Sequence, residues 1–263
     1  MSKAARFTGV TGLAVLLLLA PACGSGGDAA SAHVAQLLSA AVSNTKSSTA
    51  RLDLRMSVNA DGLPSPVQFR VTGAFDYAKR VGTVSVHLPV GVSGTMGRMD
   101  MRVIGTTVFI HAPGLVQSAK PWVEVDTASL GGTTASVNPA DPGAFLDYLN
   151  GLSGGVTDLG PSTVGGVPAE KLHADIDLER IADRIGADGS DVDSLKEMGL
   201  TSLPMDVWID HASRVRRMFV YATISHEGRT GTMIMDLRMT GFGLPVHVHA
   251  PPPSLVGHSG FTL

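Results

Sequence analysis

Several arrangements in the sequence carry residue types that do chemistry. Gly151-Leu152-Ser153-Gly154-Gly155 matches the G-x-S-x-G of a nucleophile elbow. That elbow needs a strand before the serine and a helix after it. Here the helical pattern Pro142–Leu149 precedes Ser153 and a Gly/Thr/Asp loop follows, so a glycine turn at a helix end is the simpler reading. His247-Val248-His249 sets two imidazoles on one face of an extended segment, which can begin a metal site. Apart from His258 no third ligand accompanies them, and prolines follow. His111, His173, His211 and His226 stand at expected strand ends without metal-ligand spacing. Gly165-Gly166 has no helix behind it to cradle a phosphate and reads as a turn. Asp175 with Asp177, and Asp206 with Asp210, alternate as a solvated strand face does. Arg214, Arg216 and Arg217 cluster beside Asp210, as in a charged turn or a site for an anionic head group. No catalytic residue, metal site or cofactor is expected, and the protein is expected not to be an enzyme.

Cys23 is the residue whose chemistry the sequence specifies best. Lys3 and Arg6 give a positive start, and Val10–Ala20 is an apolar run. That run is too short to span a hydrocarbon core, which needs roughly 20 residues. Leu19-Ala20-Pro21-Ala22 then leads through small residues into Cys23. The arrangement resembles the bacterial lipobox, which implies removal of residues 1–22 as a signal peptide and acylation, with palmitate among the chains, at Cys23. Cys23 is also the single cysteine of the chain, so no intrachain disulfide can form. A free thiol is a liability in an oxidising compartment, whereas a thioether-linked one is inert. One acyl chain anchors weakly, so lasting attachment needs the two or three that lipoprotein processing supplies. Residues 23–32 read as a lipidated flexible tether and 33–253 as one domain, with 254–263 a tail. The expected location is the extracytoplasmic (periplasmic) face of the cell membrane, held by the N-terminal lipid.

Composition bounds the rest. With 16% charged residues and a formal net charge of −3, the chain has no basic footprint for nucleic acid. Apolar residues make up 44% but aromatics only 5%, so Val, Leu, Ile, Ala and 11 methionines must build the core.

Those positions must be held by strands. His33–Thr45 has Val34, Leu37, Leu38, Ala41 and Val42 at helical spacing. The period then becomes two: Leu52, Leu54, Met56 and Val58 alternate with polar residues, as do Val67, Phe69, Val71 and Val84, Val86, Leu88. Further strands are expected at 98–104, 107–111, 121–126, 170–178, 205–210, 214–221, 230–240 and 246–249. Helices are expected at 142–149, 179–185 and 191–198, with a Gly-rich loop after the first. The resulting class is α+β. About eleven strands form a curved antiparallel sheet, an incomplete β-barrel, covered on one face by a few helices with an apolar cavity between. Met56, Met99, Met101, Met205, Met233, Met235 and Met239 fall on apolar strand faces, and methionine suits a surface that adapts to variable apolar ligands.

The lipobox, amphipathic helix and long strands are joined by Val108-Phe109-Ile110-His111-Ala112-Pro113, Trp122-Val123-Glu124-Val125-Asp126, Val164–Leu172 and Leu203–Asp210. Together these resemble the actinobacterial LppX/LprG-type lipoproteins and, more distantly, the LolA/LolB lipoprotein carriers. The resemblance implies an apolar cavity holding the acyl chains of lipids or lipoglycans, with no catalytic residue. It leaves any membrane transporter partner unknown. By strand period the candidate cavity residues are Leu52, Leu54, Met56, Val67, Phe69, Val84, Val86, Met101, Val103, Met205 and Val207. The alternative expectation is a non-enzymatic envelope structural or sensory module with a filled core, whose sheet binds a protein partner. A large apolar void separates the first from the second.

Overall fold

The alternation that dominates the sequence becomes one twelve-stranded sheet. The structure, a computed structural model, describes residues 26–89, 97–114, 118–126, 156–177, 202–226 and 228–258, together with Gly143, Leu146, Leu149, Asp193, Lys196, Glu197, Gly199 and Leu200. Helix α1 (Gly26–Lys46) leads into β1 (Thr49–Ala60), β2 (Val67–Asp76), β3 (Val81–Leu88), β4 (Gly97–Ile104), β5 (Thr107–His111) and β6 (Trp122–Asp126). Then follow β7 (Thr157–Val164), β8 (Val167–Asp177), β9 (Ser202–Asp210), β10 (Val215–His226), β11 (Arg229–Thr240) and β12 (Val256–His258).

Across the sheet the order is β12-β6-β5-β4-β3-β2-β1-β11-β10-β9-β8-β7. Two antiparallel meanders, β1 to β6 and β7 to β11, are therefore joined edge to edge by the β1–β11 ladder. Among the described strands only β12 runs parallel to its neighbour, β6. The sheet stays open, with β12 and β7 at its edges. A twisted sheet of more than about ten strands curls, and two glycines ease that bend. Gly73 and Gly82 lie in β2 and β3, and a Cβ on Gly82 would stand 2.0 Å from the Phe75 ring that covers it. The β7–β8 hairpin closes through Gly165-Gly166, both at positive φ, the geometry whose twist matches the flanking strands.

Register puts one parity of every strand on the same face. Across one row run Leu172, Val207, Met218, Leu237, Leu54, Val71, Val86 and Met99. Another runs Met239, Leu52, Gly73, Val84, Met101, Ile110 and Val123. Helix α1 lays Val34, Leu38, Ala41 and Val42 into this face, and Leu146 and Leu149 belong to the same core cluster. The end of α1 is pinned by Thr45. Its hydroxyl donates to the Ala41 carbonyl at 2.7 Å and accepts from the Val215 N–H at 3.0 Å.

The ladder departs from expectation in four places. Helix α1 starts at Gly26 rather than His33, so the Ala-rich stretch expected as tether continues the helix. Strand β7 occupies part of the stretch after Leu149 expected to be Gly-rich loop; Gly160 and Pro161 break its alternation at a register shift, as suits an edge strand. Val246–His249 is not a strand, despite its alternation. The last strand is instead β12, inside the expected tail, so the fold reaches His258. Leu146 and Leu149 are helical, as are Asp193, Lys196 and Glu197, in agreement with two of the expected helices. The signal segment, Cys23, Ser153 and the expected helix 179–185 lie outside the described residues.

Candidate functional site

All eleven candidate cavity residues fall on the α1-covered face, because Met56 pairs with Phe69 and Met235, Val58 with Val67, and Val84 with Met101. Their environments divide them. Leu52, Leu54, Val84, Val86, Met101, Val103, Met205 and Val207 are at most 8% exposed and belong to the packed core. Met56, Val67 and Phe69 are only half-buried. They mark one end of the face, where two rows cross the middle of the sheet: Met205, Val220, Met235, Met56, Phe69, and Ala222, Met233, Val58, Val67. Along both rows burial falls toward β11, β1 and β2. A small satellite cluster of Leu200, Ala222, Leu203, Ile224 and Met233 lies at the same end. The apolar face is thus filled at the α1 end and open-textured at the methionine end. Eight of the eleven candidates are buried in the core cluster, and three stand at the half-buried end.

The opposite parity forms a polar face that is far more organised than a merely solvated surface. His173, Asp206, Phe219, Asp236, Arg55, Arg70, His87 and Arg98 follow one another in register across eight strands. Burial pushes the Asp206 carboxyl up, but Lys171 Nζ at 2.8 Å and His173 Nδ1 at 2.7 Å outweigh it and hold it below the ordinary carboxylate range. Asp53 is held low in the same way, burial being overcome by Arg70 and Arg55. Arg217 joins Asp236 at 2.6 Å and lies over both the Trp208 ring, at 4.7 Å, and the Phe219 ring, at 5.1 Å. A groove of about 760 Å³ opens on this polar face. Most of its lining is on the reverse of the sheet from the face where a cavity was expected, and the candidates Met56 and Phe69 also border it.

Other motif residues resolve into structure. His111 stacks at 5.2 Å on Trp122, and Arg102 lies over the same ring. His247 and His249 are exposed on the chain that returns from β11 to the β6 edge; the His249 carbonyl accepts from Arg102 at 2.9 Å. Among the described residues no group of three metal-ligating side chains converges. Arg214 and Arg216 bind Asp210, the former through Nη2 at 3.0 Å and the latter through Nε at 2.7 Å, and both lie over Phe242. They stabilise the β9–β10 turn, while Arg217 belongs to the polar face.

No protein-family model and no curated protein matches the sequence. Solved structures similar to the chain include LprF from Mycobacterium bovis, at 16% identity and a TM-score of 0.48, over 84% of this chain and 97% of that one. The Mycobacterium tuberculosis lipoprotein LppX follows at 14% identity and a TM-score of 0.42, over 83% and 99%. A LolA superfamily protein from Nitrosomonas europaea has 10% identity and a TM-score of 0.30, over 80% and 94%. The likeness is one of fold. It names the same groups of proteins as the resemblance in the sequence.

Proposed function

We propose that this chain is a lipid-binding or lipid-carrying lipoprotein of the extracytoplasmic membrane face, anchored through Cys23. The observation that carries the reading is the half-buried apolar end of the sheet, where Met56, Val58, Val67, Phe69, Met233 and Met235 meet in register. A face closed against its own helices buries such residues fully; this one stops short of doing so. Flexible, polarisable methionines let it fit acyl chains of different lengths. Each methylene buried there contributes about 0.8 kcal/mol, so part of a long tail holds the molecule while its head stays at the rim. The resemblance to LppX, LprG and LolA-type proteins supports the same reading, and no chemical step is required of the protein.

The density of the core favours a second reading. Met218 and Met239 are wholly buried in the middle of the face, as in a module that binds a protein partner through its sheet. A transfer experiment separates the two. The soluble domain from Gly24 onward is mixed with donor vesicles containing pyrene-labelled phospholipid and with unlabelled acceptors. The carrier reading expects excimer emission to fall with protein concentration. Unchanged emission across a wide protein range would leave the partner-binding module standing.

A further inference from the structure

The groove takes most of its lining from the polar face, and Met56, Phe69 and Leu88 of the apolar parity border it. Its walls include Arg55, Arg70, His87, Phe219, Ile234 and Leu88, drawn from β10, β11, β1, β2 and β3. Arg55 and Arg70 stand directly opposite each other across β1 and β2. Like charges in that position destabilise a sheet, so their pairing calls for an anion. Asp53 supplies one carboxylate to both, accepting from Arg70 at 3.0 and 3.1 Å and from Arg55 at 3.3 Å. On the next strand Asp236 likewise serves both Arg217 and Arg238. Four guanidiniums thus share two carboxylates, an excess of two positive charges on a chain whose formal net charge is −3.

The two groove arginines remain accessible, with side chains 63% and 52% exposed. Each guanidinium has five N–H donors, and Asp53 engages one of Arg55's and two of Arg70's among the described residues. His87, opposite Arg70 on β3, has its Nδ1 buried without a partner among the described residues. Beside this basic pair lie Phe219 and Ile234, side chains that a purely ionic surface does not need.

We propose that the groove binds an anionic amphiphile. A phosphate-bearing head would sit between Arg55 and Arg70, matching their planar forks, and the first stretch of its carbon chain would lie against Phe219 and Ile234. This is a second site, held by the arginines of the polar face and bordered by Met56 and Phe69 of the tail-binding end.

Calorimetric titration of the soluble domain with lysophosphatidylglycerol, below its micelle concentration, tests it. The titrations use a Met235→Asp background, which disables the apolar end and leaves the groove. Saturable binding is expected there, weakened at least tenfold by Arg55→Gln with Arg70→Gln, and weakened also by Phe219→Ser. Circular dichroism melts confirm that each variant is folded. Monoacylglycerol, which lacks the anion, is expected not to bind. Inorganic phosphate binding as tightly as the lysolipid would reduce the groove to an anion site and overturn the inference. Binding abolished by Met235→Asp alone would also overturn it, while upholding the carrier reading.

Discussion

Met56 of β1 and Met235 of β11 stand opposite each other in the ladder that joins the two meanders, both half-buried on the apolar face. They lie where β1 and β11 bring together segments from the two ends of the chain. Two flexible side chains at this seam can shift without disturbing a backbone that ten paired positions hold in register. On the proposed reading, an acyl chain lying along the seam would touch both.

Met235→Asp is therefore expected to reduce bound lipid at least tenfold while the protein still folds, because a charge beside the tail must be desolvated when the tail binds. Met235→Leu is expected to keep most of the binding. Lipid extracted from each purified variant and quantified by mass spectrometry checks this. Equal occupancy in Met235→Asp and the parent protein would remove the seam from the site.

The Asp210 carboxylate lies at the foot of the face, its side chain 3% exposed against Arg214 and Arg216. Burial raises its pKa, but the two guanidiniums and the Arg214 N–H outweigh that and hold it below the ordinary carboxylate value. Its folded pKa is thus depressed. The stability it supplies is present above the unfolded value of about 3.9 and is lost as pH falls through the folded one. Asp210→Asn is expected to cost about 3 kcal/mol at neutral pH, because two arginines lose a buried partner. The variant's stability is also expected to fall less than the parent's below about pH 4. Denaturant melts at neutral and acid pH measure both effects; equal acid sensitivity would contradict the assignment.

Gly82 leaves room for the Phe75 ring, which lies 2.0 Å from where a Cβ would stand. Gly82→Val is expected to destabilise by about 2 kcal/mol through overpacking. Combined with Phe75→Ala, which vacates that space, the total loss is expected to be smaller than the sum of the two single losses. Strictly additive losses in a double-mutant cycle would show that the ring and the glycine do not interact.

Cys23→Ser is expected to move the full-length protein from the membrane fraction to the soluble fraction and to abolish metabolic labelling with palmitate. Persistent membrane association of the serine variant would point to an attachment other than the lipid.

Strand positions were legible where apolar and polar residues alternate over a whole strand, as in Leu52–Val58 or Met233–Met239, and the same parity put all eleven candidates on one face. What parity does not carry is neighbourhood. Nothing local in Arg55 says that Asp236 is its partner on one side and Arg70 on the other, so charges that form an ordered row read only as a solvated surface. Strand β7 was hidden because Gly160 and Pro161 interrupt its pattern at an edge, and β12 because three residues hold no period. His247-Val248-His249 misled in the opposite sense, since alternation without a ladder partner does not make a strand. Burial depth also depends on what covers a face, which is why the core candidates and the half-buried methionine end looked alike in sequence.

The most direct test is native mass spectrometry of the soluble domain from Gly24 onward, purified from a bacterial host without detergent. The account predicts a stoichiometric adduct that lipid extraction identifies as a glycerolipid or lipoglycan and that Met235→Asp diminishes. An apo mass alone, with no uptake of added phospholipid, would contradict it and make the sheet a protein-binding surface.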